Sequence, residues 1–324
     1  MADTTLNTTT SLSTTMQSYN DRKVLQTAKT RFVYAQFGQS KPLPRNSGKT
    51  INWRRYNLFT PSTASAGLDT GAGQKLVEGE VPKAQLLSQA TVSATVDQYG
   101  AYVKITDMLD LTALDAVARD SAVLLGEQLG TVLDWVTRDA MLETTSVQYA
   151  NDAANANAVT SSNVMTITEI RKAVRTLKKN KAPTFTNGRG AHYICIVDPD
   201  VAYDLQSDAD WKAVRQYQDK EAIYNGELGK MYGVVFVEST EGYAANNGAT
   251  TPVKLHHSLI FGANSYGIVD IEGSRAIKTY VKPAGSSGAA DPLNQISTVG
   301  AKVMAYAAKV LNPLWIIDVQ TAAS

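Results

Sequence analysis

Few residues in this chain are of types that do chemistry, and their spacing decides what they could do. There are three histidines, His192, His256 and His257, and one cysteine, Cys195. Adjacent His256 and His257 would point to opposite sides of a strand and so could not share one metal ion, and no HxxxH pair offers a helical alternative. A single cysteine cannot form an intrachain disulfide or a cysteine-based zinc site. Its setting, Tyr-Ile-Cys-Ile-Val, reads as a small buried hydrophobe rather than a reactive thiol. Ser47-Gly48-Lys49-Thr50 has the ending of a phosphate-binding loop. That motif also needs a glycine where Leu43 stands, a strand before it and a helix after it. Pro42 and Pro44 precede it instead, and strand-like TINWRRY follows. Ser207-Asp208-Ala209-Asp210 opens like a calcium loop but lacks the glycine and the closing glutamate that hold the ion. GxSxG is absent, and so is a GxGxxG placed between strand and helix. No catalytic constellation, cofactor site or metal site is expected.

The elements around these residues are better defined. Between Thr106 and Glu143, apolar residues recur at Val117, Leu124, Leu125, Leu129, Val132, Leu133, Val136, Ala140 and Met141, mostly three or four apart. This is one face of a long helix. From about Leu114 to Glu143 it would run roughly 45 Å at ~1.5 Å per residue, long enough to join two lobes. Most of its charged residues, Asp134 among them, are expected off that face. Gly126 and Gly130 lie four apart inside it, each costing roughly 1 kcal/mol against alanine. Close approach of another backbone would account for them.

Ahead of this helix, Ile51 and Trp53 alternate with polar residues, followed by Arg54 and Arg55. A small-residue tip, PSTASAGLDTGAG, and the charged run VEGEVPKAQ come next. Alternation then resumes at Ala90, Val92, Ala94 and Val96. Its parity flips near Gln98–Gly100, where a bulge would serve, and Tyr99, Ala101, Val103 and Ile105 carry it on. Residues 45–105 therefore read as a two-stranded β-arm too thin to have its own core.

Beyond the helix, Thr166-Ile-Thr-Glu169 matches a capping box, and Ile170, Ala173, Val174 and Leu177 form the next apolar stripe. Six Lys or Arg fall within 171–181. They fit a solvated face matched to the helix dipole, or a contact with nucleic acid or an acidic neighbour. Asp198-Pro199 starts a further helix with the aspartate as cap. Strands are expected at His192–Val197, Val234–Val237, Leu255–Phe261, Tyr266–Ile271, Gln295–Val310 and Leu314–Val319, so 160–270 forms an α+β lobe. Near the start, Val24, Leu25, Ala28 and Phe32 carry a modest helical pattern.

At 324 residues the chain can hold more than one lobe. With Lys+Arg 31 against Asp+Glu 30, its charge gives no global attraction to nucleic acid or anionic membrane. No apolar run is long enough to span a membrane, and MADTTLNTTTSLSTT has neither the basic start nor the apolar core of a secretory signal. This Thr/Ser/Asn tract reads as an extended arm, and folding in a cytoplasm is expected. A chain with two arms, a strut and no catalytic constellation reads as an assembly subunit, because arms that cannot cover their own surfaces cover them on neighbours.

Four stretches carry a family resemblance: VEGEVP followed by VDQYGAYVKITDMLDLTALD, then IYNGELGKMYGVVFVEST, HHSLIFGANSYGIVDI, and DPLNQISTVGAKVMAYAAKVLNPLWIIDV. In this order they resemble the major capsid (coat) proteins of tailed bacteriophages, in the podovirus-type coat family with the Hong Kong 97-like shell fold shared with herpesvirus capsids. The resemblance implies an α+β architecture. Residues 1–44 would be an N-terminal arm, and 45–105 an extended β-hairpin loop lying over the next subunit. Residues 106–160 would hold a spine helix and the first part of a peripheral domain. Residues 161–254 would be the axial domain, and 255–324 its return and the rest of the peripheral domain.

The same resemblance implies self-assembly into hexamers and pentamers of an icosahedral virion shell, built in a bacterial cytoplasm and without enzymatic activity. The implied partners are a separate scaffolding protein, a portal, a decoration protein, and packaged double-stranded DNA held without sequence-specific contacts. Inter-subunit contacts are expected at Trp53, Arg54, Arg55, Glu78, Glu80 and Lys83, for example by pairing Arg54 or Arg55 with Glu78 or Glu80 of a neighbour. Some relatives cross-link a loop lysine to an asparagine; Lys49, Lys75 and Lys83 with Asn294 or Asn312 are formally available, though nothing in their spacing supports it. Rival readings are a non-viral shell of the same fold that encloses cargo, a tail or decoration protein, and an α+β enzyme with its site in 160–270.

Overall fold

The computed structural model describes residues 28, 32–43, 48–57, 76, 78–79, 81, 86–112, 117–187, 190–208, 211, 227–269, 277–286 and 291–323. Among them the strands run, in chain order, β1 (Gln39–Lys41), β2 (Thr50–Tyr56), β3 (Gln89–Thr95), β4 (Asp97–Thr106), β5 (Val147–Tyr149), β6 (Phe185–Asn187), β7 (Gly190–Val197) and β8 (Glu227–Met231). They continue with β9 (Val234–Glu238), β10 (Ala244–Asn246), β11 (Lys254–Phe261), β12 (Tyr266–Val269), β13 (Lys278–Lys282), β14 (Ile296–Tyr306), β15 (Ala308–Val310) and β16 (Ile316–Thr321). The α-helices are α1 (Asp107–Thr112), α2 (Val117–Leu142), α3 (Ile167–Lys179) and α4 (Pro199–Ser207).

The long helix is α2. Its 26 residues span about 39 Å. It is described from Val117, the first residue of the apolar pattern, and Asp107–Thr112 forms a short helix ahead of it. The buried stripe is different. It runs Ala122, Leu125, Gly126, Leu129, Gly130, Leu133, Asp134, Thr137 and Met141 at three- and four-residue steps, while Leu124 is 64% exposed. Asp134, expected at the surface, is inside because its carboxylate has backbone donors waiting there.

Two bodies flank this helix. Along its first half lies the three-stranded sheet β13-β14-β4, which supplies Ile105, Val299, Ala301 and Val303 to a core shared with Leu125, Leu129 and Leu133. Against its C-terminal end sits the sheet β5-β16-β11-β7-β9-β8, with β10 added to β11 and β6 to β7. One face of this sheet packs on Met141, Tyr34 and Phe37. Its other face is covered by α3 and α4, through Ile170, Leu177, Val201 and Leu205, and by Trp211. Strand β7 reads as continuous apolar sequence because both of its faces are covered.

The capping box is not used as its spacing suggests. Thr166 stands at the start of α3 without a side-chain cap. Glu169, 3% exposed, instead accepts from Gln148 Nε2 at 2.7 Å and Lys172 Nζ at 3.0 Å. It ties the helix to β5 rather than to its own first turn. Asp198 precedes α4 as expected but makes no side-chain cap, because its carboxylate is engaged by His256.

The strand expected from Ala90 to Ile105 divides at Val96. Its first half, β3, pairs with β2 from Thr50↔Thr95 to Tyr56↔Gln89. Its second half, β4, leaves this hairpin and pairs with β14 from Tyr99↔Val303 to Thr106↔Ile296. The parity flip in the sequence marks this change of partner. The strand expected over Gln295–Val310 divides in the same way, β14 pairing with β4 and β13, and β15 with β12. The hairpin base is not without support either. Ile51, Trp53, Ala94 and Val96 pack on Val269, Ala305, Ala307 and Leu311 of the same subunit.

Candidate inter-subunit surfaces

An assembly subunit needs a rigid frame and surfaces left uncovered by its own chain. The frame is fixed on α2. Asp134 Oδ1 accepts three successive backbone N–H groups, from Val33 at 3.1 Å, Tyr34 at 2.8 Å and Ala35 at 3.0 Å. This clamps the approach of the N-terminal segment onto the helix. Burial outweighs the three donors and pushes the Asp134 carboxyl up to about 6. One turn earlier, Gly130 faces Ala28 so closely that a Cβ there would lie 2.6 Å from the Ala28 carbonyl oxygen. Gly126 is buried on the same stripe.

At the other edge of α2, Trp135 Nε1 donates to Glu241 Oε2 at 2.5 Å and Arg138 Nη1 to the Glu241 carbonyl at 2.7 Å. Arg138 also lies over the rings of Trp135 and Tyr243. These contacts fasten the spine to the loop between β9 and β10. Sequence reasoning missed Asp134. Its signal was available: 126, 130 and 134 step along the helix at i, i+4, so an aspartate follows two buried glycines on one face.

Among the described residues, those expected at subunit contacts divide into three groups. Trp53 is not available to a neighbour: it is 4% exposed and its indole lies over Gly267, where a Cβ would stand 2.5 Å from Cε2. Alternation along β2 turns Trp53 inward with Ile51, so it belongs to the core. Arg55 is half-buried and largely used within the subunit, its Nη1 3.4 Å from the Leu311 carbonyl and its guanidinium over the Trp315 ring. Arg54 and Glu78 are exposed. Glu80 and Lys83 lie outside the described residues, as do Lys75 and the 60–73 tip. Of the asparagines considered for a cross-link, Asn294 is exposed, whereas Asn312 is buried and accepts from the Leu314 N–H at 3.3 Å.

Two uncovered surfaces stand out. The first belongs to the hairpin, where Leu76 is 73% exposed, Val81 94% and Leu86 92%, beside exposed Glu78. The second is the outer face of β13-β14-β4. Register places Tyr280 and Tyr102 on either side of Gly300, with Lys278 and Lys302 in the row above and Lys282, Thr298 and Lys104 in the row below. Both tyrosines are exposed, and the glycine floor between them opens a trough of about 680 Å³. The sequence signal was the polar set Gln98, Gly100, Tyr102 and Lys104, complementary to the apolar set on β4.

The residue types suited to chemistry are engaged structurally. Cys195 is fully buried, and burial pushes its thiol up, away from reactivity. His256 and His257 point to opposite faces of β11, their Nδ1 atoms 2.6 Å from Asp198 Oδ2 and 2.8 Å from Asp318 Oδ2. Asp198, Asp200 and His256 bring one potential ligand atom each within 4.8 Å of one another. Asp198 takes the His256 Nδ1 bond through Oδ2, and His256 Nε2 lies 3.9 Å from Asp200 Oδ2, so the cluster offers at most three protein ligands. Gly48, within the Ser47–Thr50 run, has φ +82° and the run leads into a strand, so no helix N-terminus is there to hold phosphate. No described helix is long and apolar enough to cross a membrane.

This architecture is the Hong Kong 97-type capsid fold. The capsid of Ralstonia phage GP4 superposes with a TM-score of 0.69 at 14% identity, over 91% of this chain and 90% of that one. The capsid of cyanophage P-SCSP1u gives 0.61 at 17% identity, over 90% and 89%. A virus-like particle from Pyrococcus furiosus gives 0.53 at 8% identity, over 94% and 99%. The family model for "Phage capsid protein" matches residues 137–290, beginning in the second half of α2 and ending beyond β13. Comparison with curated protein sequences gives no match.

Proposed function

We propose that this chain is the coat subunit of a tailed phage, a structural and non-enzymatic protein whose copies close into an icosahedral shell around the genome. The observation that carries the reading is the coincidence of the capsid fold over nine-tenths of the chain with the capsid family match inside it. The family match is also the reason to prefer a phage coat over a non-viral shell of the same fold. The exposed surfaces support the same reading. Leu76, Val81 and Leu86, each more than 70% exposed within one short stretch of sequence, offer apolar surface for a neighbour to cover.

In this reading residues 1–44 are the N-terminal arm and 45–96 the extended loop. The spine helix with β4, β13 and β14 forms the peripheral domain, and the eight-stranded sheet with α3 and α4 the axial domain. The loop of one copy, with Leu76, Glu78, Val81 and Leu86, lies across the Tyr102–Gly300–Tyr280 face of the next. Its carboxylates meet the lysine rows, and Arg54 contributes at the hairpin's exposed edge. Such a contact is heterologous, so repeated rotation closes rings of five and six. A scaffolding protein, a portal and a decoration protein complete the set of partners, and assembly takes place in the host cytoplasm.

Electron microscopy and size-exclusion chromatography of the expressed full chain test the proposal. Closed shells, or capsomers that close when scaffold is supplied, are expected. A monomer or dimer at every concentration, with or without scaffold, overturns it.

A further inference from the structure

We infer that the exposed stripe of α3, formed by Arg171, Arg175, Lys178 and Lys179 with Tyr232 beside it, binds the phosphate backbone of nucleic acid without regard to sequence. On the proposed function this nucleic acid is the packaged genome.

The four cations line one side of the helix, and with Val174 and Tyr232 they enclose a groove of about 530 Å³. Arg171 and Arg175, and Arg175 and Lys179, stand at i, i+4, where like charges repel. The helix dipole compensates Lys178 and Lys179 in the last turn. It does nothing for Arg175 at mid-helix and disfavours Arg171, one turn from the N-terminus. The opposite edge of the same helix is handled differently: Lys172 is paired with Asp152 at 2.7 Å and Glu169 at 3.0 Å. Among the described residues no carboxylate pairs with Arg171, Arg175, Lys178 or Lys179. The stripe is therefore an uncompensated row of cations repeating once per turn, about 5–6 Å apart. That spacing lets adjacent cations meet neighbouring phosphates of one strand, and guanidinium groups grip phosphate oxygens in pairs.

Tyr232 adds a wall. It sits at the β8–β9 turn with φ +48°, is half-exposed, and its ring lies 5.6 Å from the Arg171 guanidinium. An acidic face of a neighbouring copy is the rival occupant. A carboxylate on a neighbour offers charge at one point, whereas the row presents a cation at every turn along one line, which a continuous phosphate backbone matches. A polyphosphate backbone fits better.

Salt dependence of binding tests this. The full chain, unassembled, is titrated against a labelled mixed-sequence DNA duplex at several salt concentrations. The comparison is with a variant carrying Arg171→Gln, Arg175→Gln, Lys178→Gln and Lys179→Gln, with the two double variants Arg171→Gln/Arg175→Gln and Lys178→Gln/Lys179→Gln, and with a control carrying Lys278→Gln, Lys282→Gln and Lys302→Gln on the sheet face. The expected result is a salt slope smaller by about 3 to 4 for the fourfold variant and by about 2 for each double variant, on the order of 0.9 per phosphate lost, with the control near wild type. An unchanged slope, or an equal loss in the control, overturns the inference. So does a stripe variant that binds DNA normally but fails to form shells, which would assign the stripe to a neighbour's acidic face. A wild-type chain that never forms shells yet shows the slope loss would overturn the coat reading and leave this one standing.

Discussion

Gly130 of the spine helix lies against the backbone of Ala28, 2.9 Å from its Cα to the position a Cβ would take. In an exposed helix, replacing glycine by alanine gains roughly 1 kcal/mol. Here the added methyl must displace main chain, which does not yield as the far end of a side chain would. Gly130→Ala is expected to destabilise the folded chain by about 1–3 kcal/mol, the usual cost of overpacking. Denaturant unfolding of the purified subunit measures it. A rise in stability would mean that the N-terminal segment does not rest on this helix.

Asp134 makes the same junction depend on pH. Its folded value of about 6 lies above the ordinary 3.8, because burial disfavours the charged form more than three N–H donors favour it. For a raised carboxyl, the favourable contribution to folding is fully present below pH 3.8 and is lost as pH rises through about 6. The gap corresponds to about 3 kcal/mol. Asp134→Asn keeps an acceptor oxygen and removes the titration. The wild type should therefore lose about 3 kcal/mol relative to the variant between pH 3 and pH 7, read from paired denaturant curves. A constant difference across that range would mean that Asp134 titrates normally.

Trp53 and Arg54 are neighbours in sequence and belong to different surfaces. The Trp53 indole lies over Gly267 in the core, while Arg54 is exposed on the hairpin. Trp53→Ala should cost about 3–5 kcal/mol and loosen the base of the hairpin. Arg54→Glu should leave subunit stability within about 0.5 kcal/mol and reduce the yield of shells. Thermal unfolding and particle counts by electron microscopy separate the two effects. Equal losses of stability would contradict the opposite placement of the two side chains.

Much of this architecture was legible before any coordinates, for identifiable reasons. Period-two alternation revealed β2 and β3, a continuous apolar run revealed β7, and the 3.6-residue stripe revealed α2 and α3. What stayed hidden depended on partners distant in sequence. The parity flip near Gly100 was visible, but not that β4 leaves β3 for β14, nearly 200 residues later. Asp134 read as solvent-facing because its three donors come from residues about 100 positions earlier. Trp53 read as a contact residue because an alternating strand has one buried face, and local sequence does not say whose core buries it. The Tyr102 and Tyr280 face emerged only when register brought β13, β14 and β4 side by side.

That face gives the most direct test of how copies meet. Glu78 and Leu86 are exposed on one side of the proposed contact, and Tyr280, Lys282 and Lys104 on the other. Leu86→Asp should leave the unassembled subunit as stable as wild type, because its side chain is exposed, and Tyr280→Asp, half-exposed on β13, should cost it about 1 kcal/mol. Each should nonetheless depress shell formation. The charges permit a sharper experiment. Glu78→Lys sets a cation against the lysine rows and should impair assembly, and Lys104→Glu with Lys282→Glu should impair it from the other side. Combining all three restores opposite signs across the contact, so the combined variant should assemble better than either parent, by the non-additivity that marks residues in direct contact. Particle yields from the four proteins at matched concentration decide it. Simple additivity of the two defects would mean that the hairpin and this sheet face do not meet.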